Sequence, residues 1–390
     1  MTISIDSRPG CIALMVAHCA GMVDLVALPV WVGALITHYR FDPQQAGGLA
    51  TLFLVGAVLA SVLLAPRLLR LRARAVAAAG FAVSAAGFGL ASASVDFTTL
   101  AVLHALCGLG TGAALSVTHG TIARSERPHR LFAIVNIALG VFAVLFLGIT
   151  PQIIAALGGQ ALFIVFGTVM ALAALASLLA FPSSTSLTSA AALGAPASAS
   201  APMPSAVWFG IIGIACMTVV QAMTFSFLER VGSEHGFERQ AINGVLIALG
   251  LVNLFPAGFA ALLEKRWPAR NVMLAGPLLQ AGLCALIMNS TAFMPYAAAA
   301  SVFAAVLIFV HTFAFGLIAK LEPSGRALAA TPAMVMTGSA IGPILGGTLV
   351  KWFGYGSLGI AAALVAAVAV FCFSRLPSAA RAASPQKAIA

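Results

Sequence analysis

Charged residues are scarce in this sequence: Asp, Glu, Lys and Arg together make up 8% of its 390 residues, where soluble domains carry roughly a quarter. Such scarcity excludes a water-soluble fold. No Gly-x-x-x-x-Gly-Lys-Ser/Thr loop is present to cradle a nucleotide phosphate, so any work the protein does is expected to draw on a gradient rather than on ATP. No polar stretch is long enough to fold as a separate enzyme domain, and the chain reads as a non-enzyme. No arginine lies deep in an apolar run, which argues against a dedicated carrier of phosphorylated or multiply anionic compounds. The 6 cysteines, Cys11, Cys19, Cys107, Cys216, Cys284 and Cys372, fall within apolar runs and show no metal-ligand spacing. They read as small packing residues, and neither a metal nor any other cofactor is expected.

Apolar residues fill the space that charge leaves: they are 61% of the chain, and the mean hydropathy is +1.07. About 20 helical residues cross the hydrocarbon core of a bilayer, and runs of that length recur along nearly the whole chain. Their continuity, without the alternation a barrel needs, makes them helices. Cuts at Gly, Pro and charge clusters predict segments near 11–36, 46–65, 75–93, 97–122, 131–156 and 161–181, then 207–228, 239–263, 271–289, 293–318, 327–350 and 355–374. The first run follows Arg8, is too long for a signal-peptide core and lacks a small-x-small cleavage site, so it is expected to remain as a span. Residues 182–206, rich in Pro, Ser, Ala and Thr and free of charge, read as a linker. The expected organisation is therefore a six-helix bundle over 1–181, a linker over 182–206, a second bundle over 207–375 and a tail over 376–390.

A net charge of +10 would suit nucleic acid, but the basic residues form short clusters between apolar runs, so their meaning is topological and no nucleic acid is expected. Of the 20 Lys and Arg, only Arg40, Arg230, Arg239 and Lys351 fall on the side opposite the termini. The excess on the other side places both termini and the linker in the cytoplasm, as expected of a multi-pass protein of a bacterial inner membrane, here read as a monomer. An internal repeat supports the even number of spans. A shift of 196 residues lays Ala123, Arg124, Ser125, Glu126 and Arg130 on Ala319, Lys320, Leu321, Glu322 and Arg326. The same shift lays Arg70, Ala73 and Arg74 on Arg266, Ala269 and Arg270, Gly48 on Gly244, and Leu157 and Gly158 on Phe353 and Gly354. One offset serving separate turns without a gap points to duplication of a six-helix unit.

A duplicated six-helix unit with a cytoplasmic linker resembles the major facilitator superfamily, whose halves are related by an axis along the membrane normal. Between segments 2 and 3 that family carries Gly-x-x-x-Asp-Arg-x-Gly-Arg; here Pro66, Arg67, Arg70 and Arg72 keep the basic character without the Asp or the glycines. In segment 4 the family has an Arg before Gly-x-Gly, and here His104 stands in that place ahead of Gly108 and Gly110. The pattern Gly-x-x-x-Gly-Pro-x-x-Gly-Gly is intact at Gly338, Gly342, Pro343, Gly346 and Gly347, in segment 11 rather than in segment 5, where exporters carry it. On physical grounds alone, Gly108, Gly342, Pro343, Gly346 and Gly347 are expected to serve close helix packing and, through it, gating. Arg67, Arg70, Arg124, Glu126, Lys320 and Glu322 are assigned to the cytoplasmic loops.

Asp24 is the one acid deep inside an apolar run. A carboxylate at such a depth costs a few kcal/mol, so it is expected to face a wet cavity or to exchange a proton; a hydrogen bond to a neighbouring helix is the plainer alternative. The resemblance implies that segments 1, 4, 7 and 10 line a central cavity, and each offers a polar group: Asp24, His104, Gln221 and His311. Phe225 and Phe315 lie one turn from the last two. Asp24 and His104 are the expected proton-coupling pair, and Asp24, His104, Gln221, Phe225, His311 and Phe315 the expected binding residues. His18, about 240° around the helix from Asp24, is expected to face elsewhere. Asn136, Asn243 and Asn253 read as interhelical hydrogen-bonding amides. Glu229 and Arg230 close segment 7 at its outer end, where a gate or simple solvation would fit, and solvation is the expectation. The whole reads as a secondary transporter of a small organic solute, coupled to protons or sodium, with export of an apolar or cationic compound favoured over uptake of a metabolite; a non-transporting membrane sensor of the same fold is the alternative.

Overall fold

In the computed structural model the chain is helical apart from its connections. The structure describes residues 3–64, 67, 70–182, 203–264, 266–322 and 331–377, without the side chains of 129 and 331–334. Most of the expected linker, the loop around Arg326 and most of the tail lie outside the described residues. The helices are α1 (Arg8–Gly21), α2 (Val23–Tyr39), α3 (Pro43–Leu64), α4 (Ala73–Ala91), α5 (Phe97–Ile122), α6 (Pro128–Leu157) and α7 (Gln160–Ala180) in the first half. The second half holds α8 (Ser205–Glu234), α9 (Arg239–Val252), α10 (Pro256–Leu263), α11 (Ala269–Asn289), α12 (Phe293–Leu321), α13 (Thr331–Phe353) and α14 (Gly356–Ser374). α1 with α2, and α9 with α10, each form one interrupted span; among the described residues eleven spans are long and apolar enough to cross a bilayer, and α13 makes the twelfth segment, six to each bundle. Two faces follow: a proximal one, where α1 begins and α14 ends, and a distal one opposite.

The halves repeat each other in detail. The offset of 196 carries the starts of α3, α4, α5 and α7 onto those of α9, α11, α12 and α14. Left-handed turn residues recur at the same offset, Arg40 (φ 56°) with Gly236 (φ 79°) and Gly158 (φ 85°) with Gly354 (φ 75°). Arg74 donates to the carbonyl oxygens of Leu178 and Leu179, and its counterpart Arg270 donates to that of Ser374. Each bond ties the start of a bundle's third span to the end of its sixth on the proximal face.

Two interruptions and one extension depart from the expected segments. Pro256 has no N–H for the carbonyl of Val252, which accepts instead from Phe255 at 3.2 Å in a tighter turn that separates α9 from α10. The first span breaks at Met22 (φ −109°, ψ 17°), just past Gly21. There the bare Cα of Gly21 fits against Leu115 of α5, where a methyl would come within 2.6 Å of Cδ1. α8 runs on to Glu234 rather than stopping near 228, because Arg230 and Glu234, one turn apart, pair at 2.7 Å and carry the helix into the distal solvent.

The bundles meet along a seam confined to the distal half. Every residue of α2 from Val26 to Leu35 is buried, because α2 lies between its own bundle and α8. Among the described residues, the hydrogen bonds that cross the seam join Asp42 and Gln44 to Lys351, Gln44 to Thr348, Thr51 to Ala340 and Ile344, and Thr37 to Arg230. α6 meets α9 at Gly148 and Ile247 and at Val144 and Gly250. Toward the proximal face the partners part: Val55, Leu59, Val62 and Leu63 of α3 are exposed. Among the described residues, the contacts that join the two bundles gather at the distal face.

The Asp42 and Lys351 side chains, 2.9 Å apart, close the distal rim. Burial would raise the Asp42 carboxyl, but the N–H of Gln45, the Lys351 ammonium and the N–H of Gln44 outweigh it and hold Asp42 below the usual carboxylate range. A group lowered on folding stabilises above its unfolded value, about 3.9, and that contribution is lost as pH falls through the lower folded value. Thermal unfolding in detergent below about pH 4 is therefore expected to be less acid-sensitive in Asp42→Asn than in the parent protein. The effect should stay within about 1 kcal/mol, as for any third-exposed pair.

Candidate functional site

Asp24 is buried in the first turn of α2, directly after the break at Met22. Its carboxylate turns back toward the N–H groups of Asp24 itself and Leu25. A helix that restarts in mid-membrane exposes such unpaired N–H groups, and their dipole favours an anion there. The carboxyl is buried, which keeps it off the acyl chains. One turn before the break, His18 Nδ1 lies 3.0 Å from His119 Nε2 of α5, while His18 Nε2 is buried without a partner. His119 was not among the expected candidates; its only sequence signal is a second histidine in segment 4.

The structure does not bring the expected four polar groups together. His104 is fully enclosed in the first bundle: Nδ1 meets the Leu100 carbonyl at 2.7 Å, and the ring stacks on Trp31 with centroids 5.6 Å apart. Phe88 and Phe163 close the remaining sides edge-on. This corrects the expectation of a cavity-facing proton partner, since the aromatic box, not the cavity, is what the imidazole contacts. Gln221 is likewise turned into the second bundle, where Gln280 Nε2 of α11 donates to its Oε1 at 3.1 Å, both side chains being buried. Phe225 is buried against Phe303 at 5.7 Å. His311 and Phe315 are half-buried on α12 with ring centroids 5.0 Å apart, His311 Nδ1 bonding the Leu307 carbonyl at 2.9 Å. Of the expected residues, Asp24 is buried at the break in the first span, and His311 and Phe315 are the ones left half-buried.

The Gln221 and Gln280 pair yields a stability prediction. Gln221→Leu strands a buried amide and should cost about 0.6–2 kcal/mol in thermal unfolding. Adding Gln280→Leu should restore most of that loss, because both polar partners are then gone.

The glycines expected to pack do sit at close approaches. Gly108 faces the backbone of Phe53, Gly342 faces Ala222 and Met223 of α8, Gly346 faces Met223 and Phe227, and Gly347 faces the backbone of Pro43 across the seam. Pro343 lies inside the continuous α13, and its carbonyl meets Gly47 of α3. In the proximal loops, Arg67 donates to the Leu63 carbonyl at 2.9 Å, the N–H of Arg70 bonds the Arg67 carbonyl at 2.8 Å, and Arg124 donates to Thr121 at 3.3 Å. The N–H of Glu126 points to Asp6 at 3.5 Å, Lys320 lies 3.5 Å from Glu264, and the N–H of Glu322 donates to the Ile318 carbonyl at 2.9 Å. A hollow of about 890 Å³ lies away from the seam on the flank of the second bundle, walled by Phe255, Phe259, Trp267, Leu279 and Phe309. With exposed aromatic walls and Asn271 its main polar group, it offers few anchors to orient a solute.

Comparison with known proteins agrees with this architecture. The family model described as Major Facilitator Superfamily matches residues 13–318. No curated protein matches the sequence. Among solved structures, a D-xylose-proton symporter superposes with a TM-score of 0.74 over 95% of this chain and 98% of its own, at 14% identity. The nucleoside transporter NupG gives 0.70 over 94% and 98%, at 14% identity. A bacterial homologue of the human lysosomal transporter Spinster, in an inward-facing and occupied conformation, gives 0.70 over 94% and 93%, also at 14% identity. At such identity the likeness is one of fold.

Proposed function

We propose, from the premise that the chain belongs to the Major Facilitator Superfamily, a family of transporters, that it is a proton-coupled secondary transporter of a small organic solute working by alternating access. The observation that carries this reading is Asp24: a buried carboxyl in the first turn after a helix break, in a pair of pseudo-symmetric bundles whose described contacts gather at the distal face. Broken helices at the midplane are where carriers of this general kind hold ions and substrates. Asp24 takes and releases the proton, and His311 and Phe315 contribute to the wall that meets the solute. A buried carboxyl that forms no ion pair among the described residues favours an apolar or cationic compound over an anionic one. With the termini in the cytoplasm of a bacterial cell, as the placement of Lys and Arg supports, the described state is inward-facing and the distal seam is the periplasmic gate.

The test is flux. Purified protein in liposomes loaded with a pH-sensitive dye is offered a lipophilic cation such as tetraphenylphosphonium, a nucleoside and a pentose in turn. One of them should move protons in the parent protein. Binding without any proton or solute movement would point instead to a sensor that keeps the fold.

A further inference from the structure

The distal seam holds an ionisable group that the proposed site does not use. Glu229 of α8 aims its carboxylate at the bare Cα of Gly33 on α2, so closely that a methyl there would overlap Oε2. Contrary to the expectation of a solvated helix end, the side chain faces the other bundle. Beside it lies a hollow of about 100 Å³ lined by Thr37 and His38 from one half and by Ser233, Arg239 and Asn243 from the other.

The neighbouring groups leave this carboxylate without a direct partner. Arg230 pairs with Glu234 at 2.7 Å and donates to Thr37 at 3.1 Å. Arg239 and His38 line the hollow, and Arg230 and Arg239 act on Glu229 only from a distance. From α12, Tyr296 gives its O–H to the Leu228 carbonyl at 2.8 Å; Tyr355, ahead of α14, gives its own to Glu234 at 3.2 Å. α6 presents Pro151, Ile154 and Ala155. Among the described residues Glu229 accepts no hydrogen bond and forms no ion pair.

We propose that Glu229 is a second proton-binding site, occupied while the distal seam is shut and emptied into distal water when it opens. The proposal rests on the alternating-access reading. Half-buried at the edge of the hollow it lines, the carboxylate gives up part of its hydration to the Cα of Gly33 without gaining a donor, a loss that costs the ionised form more than the neutral acid. The shut seam therefore favours the proton-bound form, and by linkage a bound proton favours the shut seam. Acid conditions hold the distal face closed; alkaline conditions release it, with the shut-to-open ratio changing up to tenfold per pH unit.

Distances read by pulsed electron resonance between nitroxides test this without knowing the solute. One pair replaces Gln160 and Thr291, exposed at the distal ends of opposite halves, and a second replaces Arg67 and Arg266 at the proximal face. Native cysteines are replaced, and the protein is held in lipid discs from about pH 5.5 to about pH 8.5, above the range in which Asp42 titrates. The parent distal pair should lengthen as pH rises, and Glu229→Gln should stay short throughout. Glu229→Asp, the more conservative variant, should keep the response with a displaced midpoint. An unchanged response in Glu229→Gln, an unmoved midpoint in Glu229→Asp, or a response lost only in His38→Asn would each overturn the proposal. Two exchanging populations that ignore pH would overturn the role of Glu229 alone; a single fixed distance in both pairs would overturn alternating access as well.

Discussion

Asp24→Asn is expected to uncouple the transporter: in liposomes, solute-driven proton movement should fall at least about tenfold, the factor that about 1.4 kcal/mol represents. Binding of the same solute, followed by thermal shift, should change far less. The reasoning rests on what Asn keeps and what it loses. Asn preserves the size of the side chain and an oxygen that can accept from the N–H groups at the start of α2, so the broken span should still fold. It has no proton to take or release. A carboxyl buried in the first turn after a helix break is a group that a change in the packing of the two bundles can expose or enclose. Asp24→Asn that left proton movement intact would remove Asp24 from the mechanism and leave the His18 and His119 pair, 3.0 Å apart, as the buried titratable groups to examine next.

The spans and their duplication were legible in the sequence for a simple reason. In a bilayer each backbone polar group must be satisfied within its own helix, so every crossing announces itself as a long apolar run. The offset of 196 was legible because turn residues such as Gly158 and Gly354 answer to backbone geometry, whatever packs around them. Rotational setting was not legible. Segment 4 scatters its few polar residues around the helix, so nothing in the pattern says which way His104 faces; the decision is made by Trp31, Phe88 and Phe163, which come from three other helices. Gln221 was misjudged for the same reason, its partner Gln280 lying on α11. Glu229 looked solvated because it ends an apolar run, and only the approach of α2 reveals Gly33 opposite it. The break at Met22 carries no proline to mark it, in contrast to the one at Pro256.

Adding a single methyl at either of two seam glycines should open the distal face. Gly47 of α3 faces the carbonyl of Pro343 and the N–H of Ile344, and Gly347 of α13 faces the carbonyl of Pro43 and the Cα of Gln44. The contacts are reciprocal, helix backbone against helix backbone, so neither partner has a flexible side chain to move aside. Ala is the better helix former by about 0.8–1 kcal/mol, which predicts stabilisation wherever space allows. Gly244→Ala and Gly282→Ala, where a methyl meets nothing within 4 Å, should therefore be neutral or slightly stabilised. Gly47→Ala and Gly347→Ala should instead cost the shut state about 1–3 kcal/mol through overpacking. That penalty shifts the population of the distal-closed form by roughly 5- to 150-fold, read as a lengthening of the distance between labels at Gln160 and Thr291. Opposite signs for the same chemical change at buried seam and open helix face would locate the gate in backbone contact; equal signs would mean that the bundles separate elsewhere.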